Sequence, residues 1–445
     1  MKMPTTYSYR DIWRIAYPIL ISLLMEQLIG MTDTAFLGRV GEVELGASAL
    51  ASIYYMAIFM LAFGFGVGAN ILIGRRNGEG NYRSIGSIFY QGLFFLLLLA
   101  CAMFFLSRHL SGRILSRLIE SPAVLEATLS YMNWRVYGFF FSFAAIMFRS
   151  FFIGTTHTKT LTLNSVVMVL SNVFFNYVLI FGKLGCPALG IAGAAIGSSL
   201  SELVSLLFFT IYTLRRVDLR KYGLNRVEGF RLATLRQILN ISTWTMIQNF
   251  IAMSIWFLFF LAIEHLGERP LAITNLIRNV SALPFMTISA FASTCSTLAS
   301  NLIGAGRSRF VGGTILQCIR MAALFVVPLV VFFAAFPGLI LRIYTDSPQL
   351  IEESIPSLWV LCSSYVLSIP AYILFQTVSG TGNTRTALVM DFVALFIYTA
   401  YILFTIIHLR LDVALCWTSE HVYSLCILSL SYYYLRHGHW RDKRI

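Results

Sequence analysis

The sequence is poor in charge. Only 12% of its 445 residues are Asp, Glu, Lys or Arg, and 58% are hydrophobic, whereas a soluble globular protein is about 25% charged. So few charged side chains do not cover the surface of a water-soluble fold. The composition therefore excludes a soluble protein and predicts an integral membrane protein, surrounded by the lipid bilayer.

Acidic residues are scarcer than basic ones. The chain has 20 Asp and Glu against 33 Lys and Arg, which gives a net charge of +13. The basic residues form short clusters between long apolar runs, a pattern that orients membrane helices. We therefore expect no nucleic-acid partner, although the chain is strongly basic.

Motifs of enzyme and nucleotide chemistry are missing. The sequence contains no GxxxxGK[ST], no GxGxxG after a strand, no GxSxG and no HExxH. Its seven cysteines are scattered singly, without a CxxC pair or zinc spacing, and its histidines form no i, i+4 pair. We expect no enzyme activity, no cofactor and no bound metal, so energy for transport has to come from an ion gradient.

Twelve apolar runs are long enough to cross a hydrocarbon core of about 30 Å, which takes about 20 helical residues. The even number places both termini on one side. If that side is the cytoplasm, it holds 21 Lys and Arg against eight opposite, with four inside the runs. The positive-inside rule then predicts a multi-pass protein of the plasma (inner) membrane with cytoplasmic termini.

An internal repeat has the same offset, 226 residues, in three places. The aligned pairs are Gly41–Leu50 with Gly267–Leu276, Gly78–Gly80 with Gly304–Gly306, and Gly154–Thr160 with Gly380–Thr386. Each half contains six runs, so corresponding helices run in the same direction. The repeat predicts an all-α membrane protein with twelve transmembrane helices in two six-helix lobes, related by a parallel pseudo-two-fold repeat along the membrane normal.

The predicted lobes are residues 1–214 (helices 1–6) and 238–445 (helices 7–12), joined by a cytoplasmic basic linker, residues 215–237. Two such lobes facing each other enclose a central cavity that opens to one side at a time, which is an alternating-access architecture. We expect a monomer. A twelve-helix scaffold or receptor without transport activity is the alternative.

Polar residues inside the runs of the first half are candidates for ion coupling. A carboxylate at the bilayer centre costs at least about 2.5 kcal/mol, and Glu26 and Asp33, seven residues apart, share one helix face. Asn172 and Asn176, four residues apart, also share a face. These amides, with Ser198, either hold helices together or act as neutral oxygen ligands beside the carboxylate.

The repeat provides a comparison within the chain. Shifted by 226 residues, the positions of Glu26, Asp33, Asn172 and Asn176 hold Ala252, Phe259, Tyr398 and Ile402. The polar set therefore exists only in the first half, which favours a functional role over a requirement of the fold.

The second half has its own polar and aromatic positions. Aromatic faces hold organic cations and flat apolar compounds, so we expect the substrate cavity to include Gln248, Asn249, Trp256, Tyr372, Gln376 and Tyr398.

Several segments resemble the multidrug and toxic-compound extrusion (MATE) family. PILISLLMEQLIGMTDTAFLGRVG is similar to the family's first-helix signature, with Asp33 matching its aspartate. NVFFNYVLIFGKLGCPALGIAGAAIGSSLSE resembles its fifth and sixth helices, with Asn172, Asn176 and Ser198 at polar positions. GTTHTKT and GTGNTRT resemble the turns after its fourth and tenth helices.

This resemblance implies twelve helices in two lobes and export of amphipathic or cationic drugs against proton or sodium entry. Many members carry acids in the seventh and tenth helices, where this chain has Gln248, Asn249 and no acid near Gln376. The chain is in this respect more similar to the DNA-damage-inducible (DinF-like) branch, whose coupling uses the first-lobe aspartate. A flippase for a lipid-linked precursor, from the same superfamily, is the alternative function.

Overall fold

The chain is helical throughout the part that the computed structural model describes, residues 7–119, 121–227, 229–264 and 266–441. Its α-helices there are α1 (Tyr9–Leu37), α2 (Glu42–Gly78), α3 (Ser84–Leu118), α4 (Pro122–Arg135), α5 (Gly138–Gly154), α6 (Lys159–Phe181), α7 (Gly190–Arg216), α8 (Leu232–Glu264), α9 (Glu268–Gly304), α10 (Val311–Ala335), α11 (Pro337–Leu341), α12 (Pro348–Gly380), α13 (Thr384–Ile402), α14 (Val413–Cys416) and α15 (Ser419–His437). A 3-10 turn, Ser308–Phe310, precedes α10, and a π-helical stretch, Leu403–His408, extends α13.

These helices provide twelve membrane crossings. Ten segments are long and apolar enough to span a bilayer, and α4 with α5, bent by 51° at their junction, form an eleventh. Helix α8, with 33 residues, is long enough to be the twelfth. The predicted all-α membrane fold is confirmed, whereas the predicted cytoplasmic termini lie outside the described residues.

The internal repeat is visible in the backbone. Helices α2 and α9 begin and end 226 residues apart, and each is followed by a left-handed glycine, Gly80 (φ +74°) and Gly306 (φ +69°). The turns after α5 and α12 also match, with positive φ at Thr156 and Gly382. The repeat predicted from three weak sequence matches is thus confirmed by equal helix lengths and equal turn geometry.

The described residues divide into two compact units. The N-unit holds those of Ile21–Met246, and the C-unit holds those of Met1–Leu20 and Ile247–Ile445. This division falls inside α1 and α8, not at the loops that bound the predicted lobes, residues 1–214 and 238–445. Within the C-unit, the start of α1 packs against α10, where Trp13 stacks on Phe325 with ring centroids 4.6 Å apart.

The connection between α7 and α8 packs against α3 in the N-unit. The Tyr90 hydroxyl donates to the Leu224 carbonyl (2.7 Å), and the Gln91 side chain donates to the Gly229 carbonyl (2.9 Å). Gln91 also accepts from the Arg231 backbone N–H (3.0 Å). Part of the predicted basic linker, residues 215–237, is therefore bound to a membrane helix by hydrogen bonds.

Candidate functional site

Four of the predicted polar residues meet in a hydrogen-bonded ring inside the N-unit. Asn176 donates from Nδ2 to Asp33 Oδ1 (2.5 Å) and to Asn172 Oδ1 (3.1 Å). Asn172 Nδ2 donates to Ser198 Oγ (3.4 Å), and Ser198 Oγ donates to Asp33 Oδ2 (3.1 Å). The ring, which we call the Asp33 ring, joins α1, α6 and α7.

Small residues on α7 allow this close approach. A Cβ on Gly193 would lie 2.5 Å from the Leu179 carbonyl oxygen of α6, and a Cβ on Gly197 would lie 2.5 Å from Asn176 Oδ1. Glycine at these two positions lets the α6 and α7 backbones pack together, as small residues do between membrane helices. The run GIAGAAIG thus places Ser198 opposite the two asparagines.

Burial within the ring is uneven. Asn172 and Asn176 have no exposed surface, Ser198 is 5% exposed, and Asp33 is only partly buried. The carboxylate therefore has one accessible side and one side held by amide and hydroxyl donors. Such a site can take up and release a proton or a small cation, because the exchanging group is the accessible member.

One acceptor in the ring is unused. Asn176 Oδ1 is buried and has no hydrogen-bond donor among the described residues. An orphaned buried acceptor costs free energy, and this one lies in the residue that donates to Asp33. A protonated carboxyl has a hydrogen to donate, and a cation seeks neutral oxygens, so this oxygen suits either form of a loaded site.

We expect a methyl group at position 197 to disrupt the ring without removing any of its polar groups. In Gly197→Ala the new Cβ has to displace Asn176, which breaks its hydrogen bond to the Asp33 carboxylate. Losing a hydrogen bond to a charged group costs about 1.5–3 kcal/mol, so we expect about a tenfold lower transport rate. Gly112→Ala on α3, where no atom lies within 4 Å of the new Cβ, is the control; equal transport rates for the two variants would contradict this role of Gly197.

Glu26 does not join the Asp33 ring. It pairs with Arg149 of α5 (2.5 Å), and Ser22 accepts from Arg149 (3.4 Å) and from Ser165 (2.8 Å). The Glu26 side chain is 47% exposed. The predicted coupling set is thus divided between the ring and a separate ion pair on the same helix, α1.

A second buried ion pair lies at the bend between α4 and α5. Arg135 contacts both carboxylate oxygens of Glu202 on α7, at 2.7 and 2.8 Å, and its guanidinium lies 3.7 Å from the centre of the Tyr55 ring. The Tyr55 hydroxyl lies 3.1 and 3.2 Å from the Glu202 oxygens and 2.8 Å from Ser142. Both charged residues stand inside apolar runs, and opposite charges inside membrane spans usually pair, a signal that the sequence analysis did not use.

The residues predicted to form the substrate cavity lie in the C-unit, three of them near two buried carboxylates. Tyr398 donates to Glu420 (3.3 Å), and Tyr423 donates to Asp391 (2.9 Å). Gln248 also hydrogen-bonds to Asp391, and the Tyr372 ring centroid is 6.3 Å from that of Tyr423.

The other three predicted cavity residues are spread over α8 and α12. The Trp256 ring lies 5.8 Å from the Arg278 guanidinium. Asn249 and Gln376 are half-buried, on α8 and α12 respectively. The structure therefore groups Gln248, Tyr372 and Tyr398, and leaves Trp256, Asn249 and Gln376 outside that group.

A duplicated twelve-helix membrane fold with an accessible, hydrogen-bonded carboxylate inside one unit defines a transport protein rather than an enzyme. The MatE family model matches residues 18–178 and again residues 245–404, together more than two-thirds of the chain. The chain belongs to this family of transporters. The two matches repeat at the offset that the sequence and the helices show.

Relatives and solved structures agree with this assignment. A probable multidrug resistance protein NorM of Thermotoga maritima is 26% identical over 391 residues, 87% of this chain and 83% of the relative. One from Synechocystis is also 26% identical, over 76% of this chain and 73% of the relative. An outward-facing multidrug resistance MATE transporter has a TM-score of 0.88 at 18% identity, over 98% of this chain and 97% of the other. A MOP superfamily transporter from Pyrococcus furiosus, with the same identity and coverage, has a TM-score of 0.87 and the same fold.

Proposed function

We propose that the chain is a secondary antiporter that exports drugs or other toxic organic compounds in exchange for protons or sodium ions. The observation that carries this proposal is the Asp33 ring, a carboxylate with an accessible side inside a membrane-spanning unit. Intramembrane carboxylates of this kind are typical of proton and ion pathways. The coupling residues are Asp33, Asn172, Asn176 and Ser198, with Glu26 on the same helix.

Exchange at Asp33 changes the hydrogen bonds that hold α1 to α6 and α7. The ionised carboxylate accepts from Asn176 and Ser198. A proton or a cation on Asp33 occupies one of its oxygens, so one donor loses its acceptor and the ring has to rearrange. A rearrangement that favours one arrangement of α1 over another shifts the populations of inward-open and outward-open states, which is the basis of alternating access.

The substrates we propose are amphipathic or cationic small molecules. The relatives carry the name multidrug resistance protein, and the aromatic residues and carboxylates grouped in the C-unit suit organic cations. The distribution of Lys and Arg supports residence in the plasma (inner) membrane with cytoplasmic termini. We also propose that the protein acts as a monomer and belongs to the DinF-like branch.

Transport by the purified chain in lipid vesicles tests the exchange. Ethidium movement is followed by fluorescence while a proton gradient and a sodium gradient are imposed separately. We expect ethidium to move against one of these gradients and not when that gradient is collapsed. Ethidium movement that ignores both gradients would contradict antiport.

The alternative, a flippase for a lipid-linked precursor, needs cationic side chains that are available to a pyrophosphate. Arg135 and Arg149, two of the four arginines inside the spans, are bound to carboxylates. This pairing argues against the flippase. Translocation of a fluorescent polyprenyl pyrophosphate by the same vesicles would support it.

A further inference from the structure

A basic pocket lies at one end of the N-unit, away from the Asp33 ring. Its volume is about 480 Å³. It is formed by the turn between α2 and α3, the start of α3 and the start of α8. The residues that line it, which we call the arginine pocket, are Arg76, Asn81, Arg83, Ser84, Ser87, Ile88, Arg231, Thr234 and Gln237.

The charge of the arginine pocket is positive. Its three arginines come from different elements: Arg76 from the end of α2, Arg83 from the turn before α3, and Arg231 from the residue before α8. None of the nine described lining residues is acidic. The nearby Glu79 pairs with Arg76 (2.7 Å) and offsets one of the three charges.

Two helix N-termini open into the arginine pocket. Helix α3 has 35 residues and begins at Ser84, and its N-cap, Arg83, makes no side-chain capping bond. Helix α8 begins at Leu232, and Thr234 and Gln237 in its first turns line the pocket. The first N–H groups of a helix have no partner within the helix and carry partial positive charge, so they favour an anion.

A buried hydroxyl in the arginine pocket also lacks a partner. Ser87 is 7% exposed, and its Oγ has no hydrogen-bond partner among the described residues. Burying a hydroxyl without a partner is unfavourable, so the fold itself gives no reason for it. A ligand oxygen that accepts from Ser87 would satisfy it.

The second half of the chain does not repeat the arginine pocket. At the 226-residue offset, Arg76 corresponds to Leu302, and Ser87 corresponds to Gly313. The α2–α3 turn and its counterpart nevertheless share their backbone geometry, with φ of +74° at Gly80 and +69° at Gly306. The turn therefore forms without these polar side chains, which favours a ligand-binding role for them.

We propose that the arginine pocket binds a phosphate group, carried either by an anionic lipid headgroup or by a free phosphorylated anion. Guanidinium groups, helix N-termini and hydroxyls are the donors that phosphate oxygens prefer. The pocket belongs to the end of the N-unit where the basic loops lie. Basic pockets between membrane helices on the cytoplasmic side bind anionic headgroups.

Thermal unfolding of the purified full chain in neutral detergent tests this proposal. We expect a saturable rise of the unfolding midpoint, at constant ionic strength, with cardiolipin, with pyrophosphate or with both, because a ligand stabilises the state that binds it. A rise with cardiolipin alone assigns the site to lipid headgroups. A rise with pyrophosphate as well assigns it to phosphate in general. No rise with either, or an equal rise with phosphatidylcholine or sodium chloride, overturns the proposal.

Variants locate the binding. Arg83→Gln with Arg231→Gln is expected to weaken the apparent affinity by at least about tenfold, because it removes two charge-assisted contacts. Arg309→Gln, the counterpart of Arg83 in the repeat, is the charge-matched control and should bind like the wild type. Ser87→Ala removes a hydroxyl without a partner, so it should fold as the wild type does and still bind several-fold more weakly. Wild-type affinity in Ser87→Ala and in the double variant overturns the proposal.

Discussion

Replacing the Asp33 carboxylate by an amide, Asp33→Asn, is expected to reduce gradient-driven ethidium efflux to the level of cells without the protein. Asn is close to Asp in shape, and its side chain offers an oxygen that accepts from Asn176 and an amino group that faces Ser198 Oγ. The hydrogen-bonded ring therefore closes in the variant. What the variant lacks is a group that gains and loses charge, so we expect the exchange to fail while the fold stays intact.

Efflux from cells and the unfolding midpoint of the purified variant, measured side by side, check both parts of this expectation. The midpoint should equal or exceed that of the wild type, because the variant no longer buries an ionisable carboxylate. Asp346→Asn, the same substitution on an exposed loop, is the control and should export normally. Wild-type efflux by Asp33→Asn would remove Asp33 from the coupling mechanism.

Neutralising one member of the buried pair at the α4–α5 bend should strongly destabilise the protein. In Glu202→Gln the Arg135 guanidinium, in a residue that is 9% exposed, keeps its charge and loses its counter-ion. Removing one partner of a buried ion pair costs about 3–5 kcal/mol, whereas replacing both by apolar residues costs much less. We expect a large fall in the unfolding midpoint for Glu202→Gln and a partial recovery in Arg135→Met/Glu202→Leu.

The exposed pair Arg269–Glu353 provides the matched control. Its side chains are 44% and 49% exposed at an N–O distance of 2.7 Å, the same distance as in the buried pair. Because water screens an exposed pair, Glu353→Gln should leave the midpoint unchanged. Equal effects of Glu202→Gln and Glu353→Gln would mean that burial does not determine the cost.

The sequence was sufficient to predict the members of the Asp33 ring but not its connections. The i, i+4 spacing of Asn172 and Asn176 fixes that both lie on one face of α6. Small residues before Ser198 indicate close helix packing. Which atom donates to which oxygen depends on how α1, α6 and α7 are rotated about their axes, and a single sequence does not contain those rotations.

The buried pair Arg135–Glu202 illustrates a different gap. The two residues are 67 positions apart, on helices whose contact no local periodicity specifies. The apolar run at 127–153 also predicts one continuous span, whereas the structure has two helices bent by 51°. The bend lies next to the pair, where a Cβ on Gly138 would approach within 2.4 Å of both charged side chains.

The route of α1 has a consequence for biosynthesis. Its first residues belong to the C-unit, where Trp13 stacks on Phe325, although the ribosome makes Trp13 some 310 residues earlier. At about 5–20 residues per second, Trp13 waits roughly 15–60 s for its partner. During that interval the start of the nascent chain is inserted without its final neighbours, so a translational pause before α10 lengthens the period in which misassembly and proteolysis compete with completion of the C-unit.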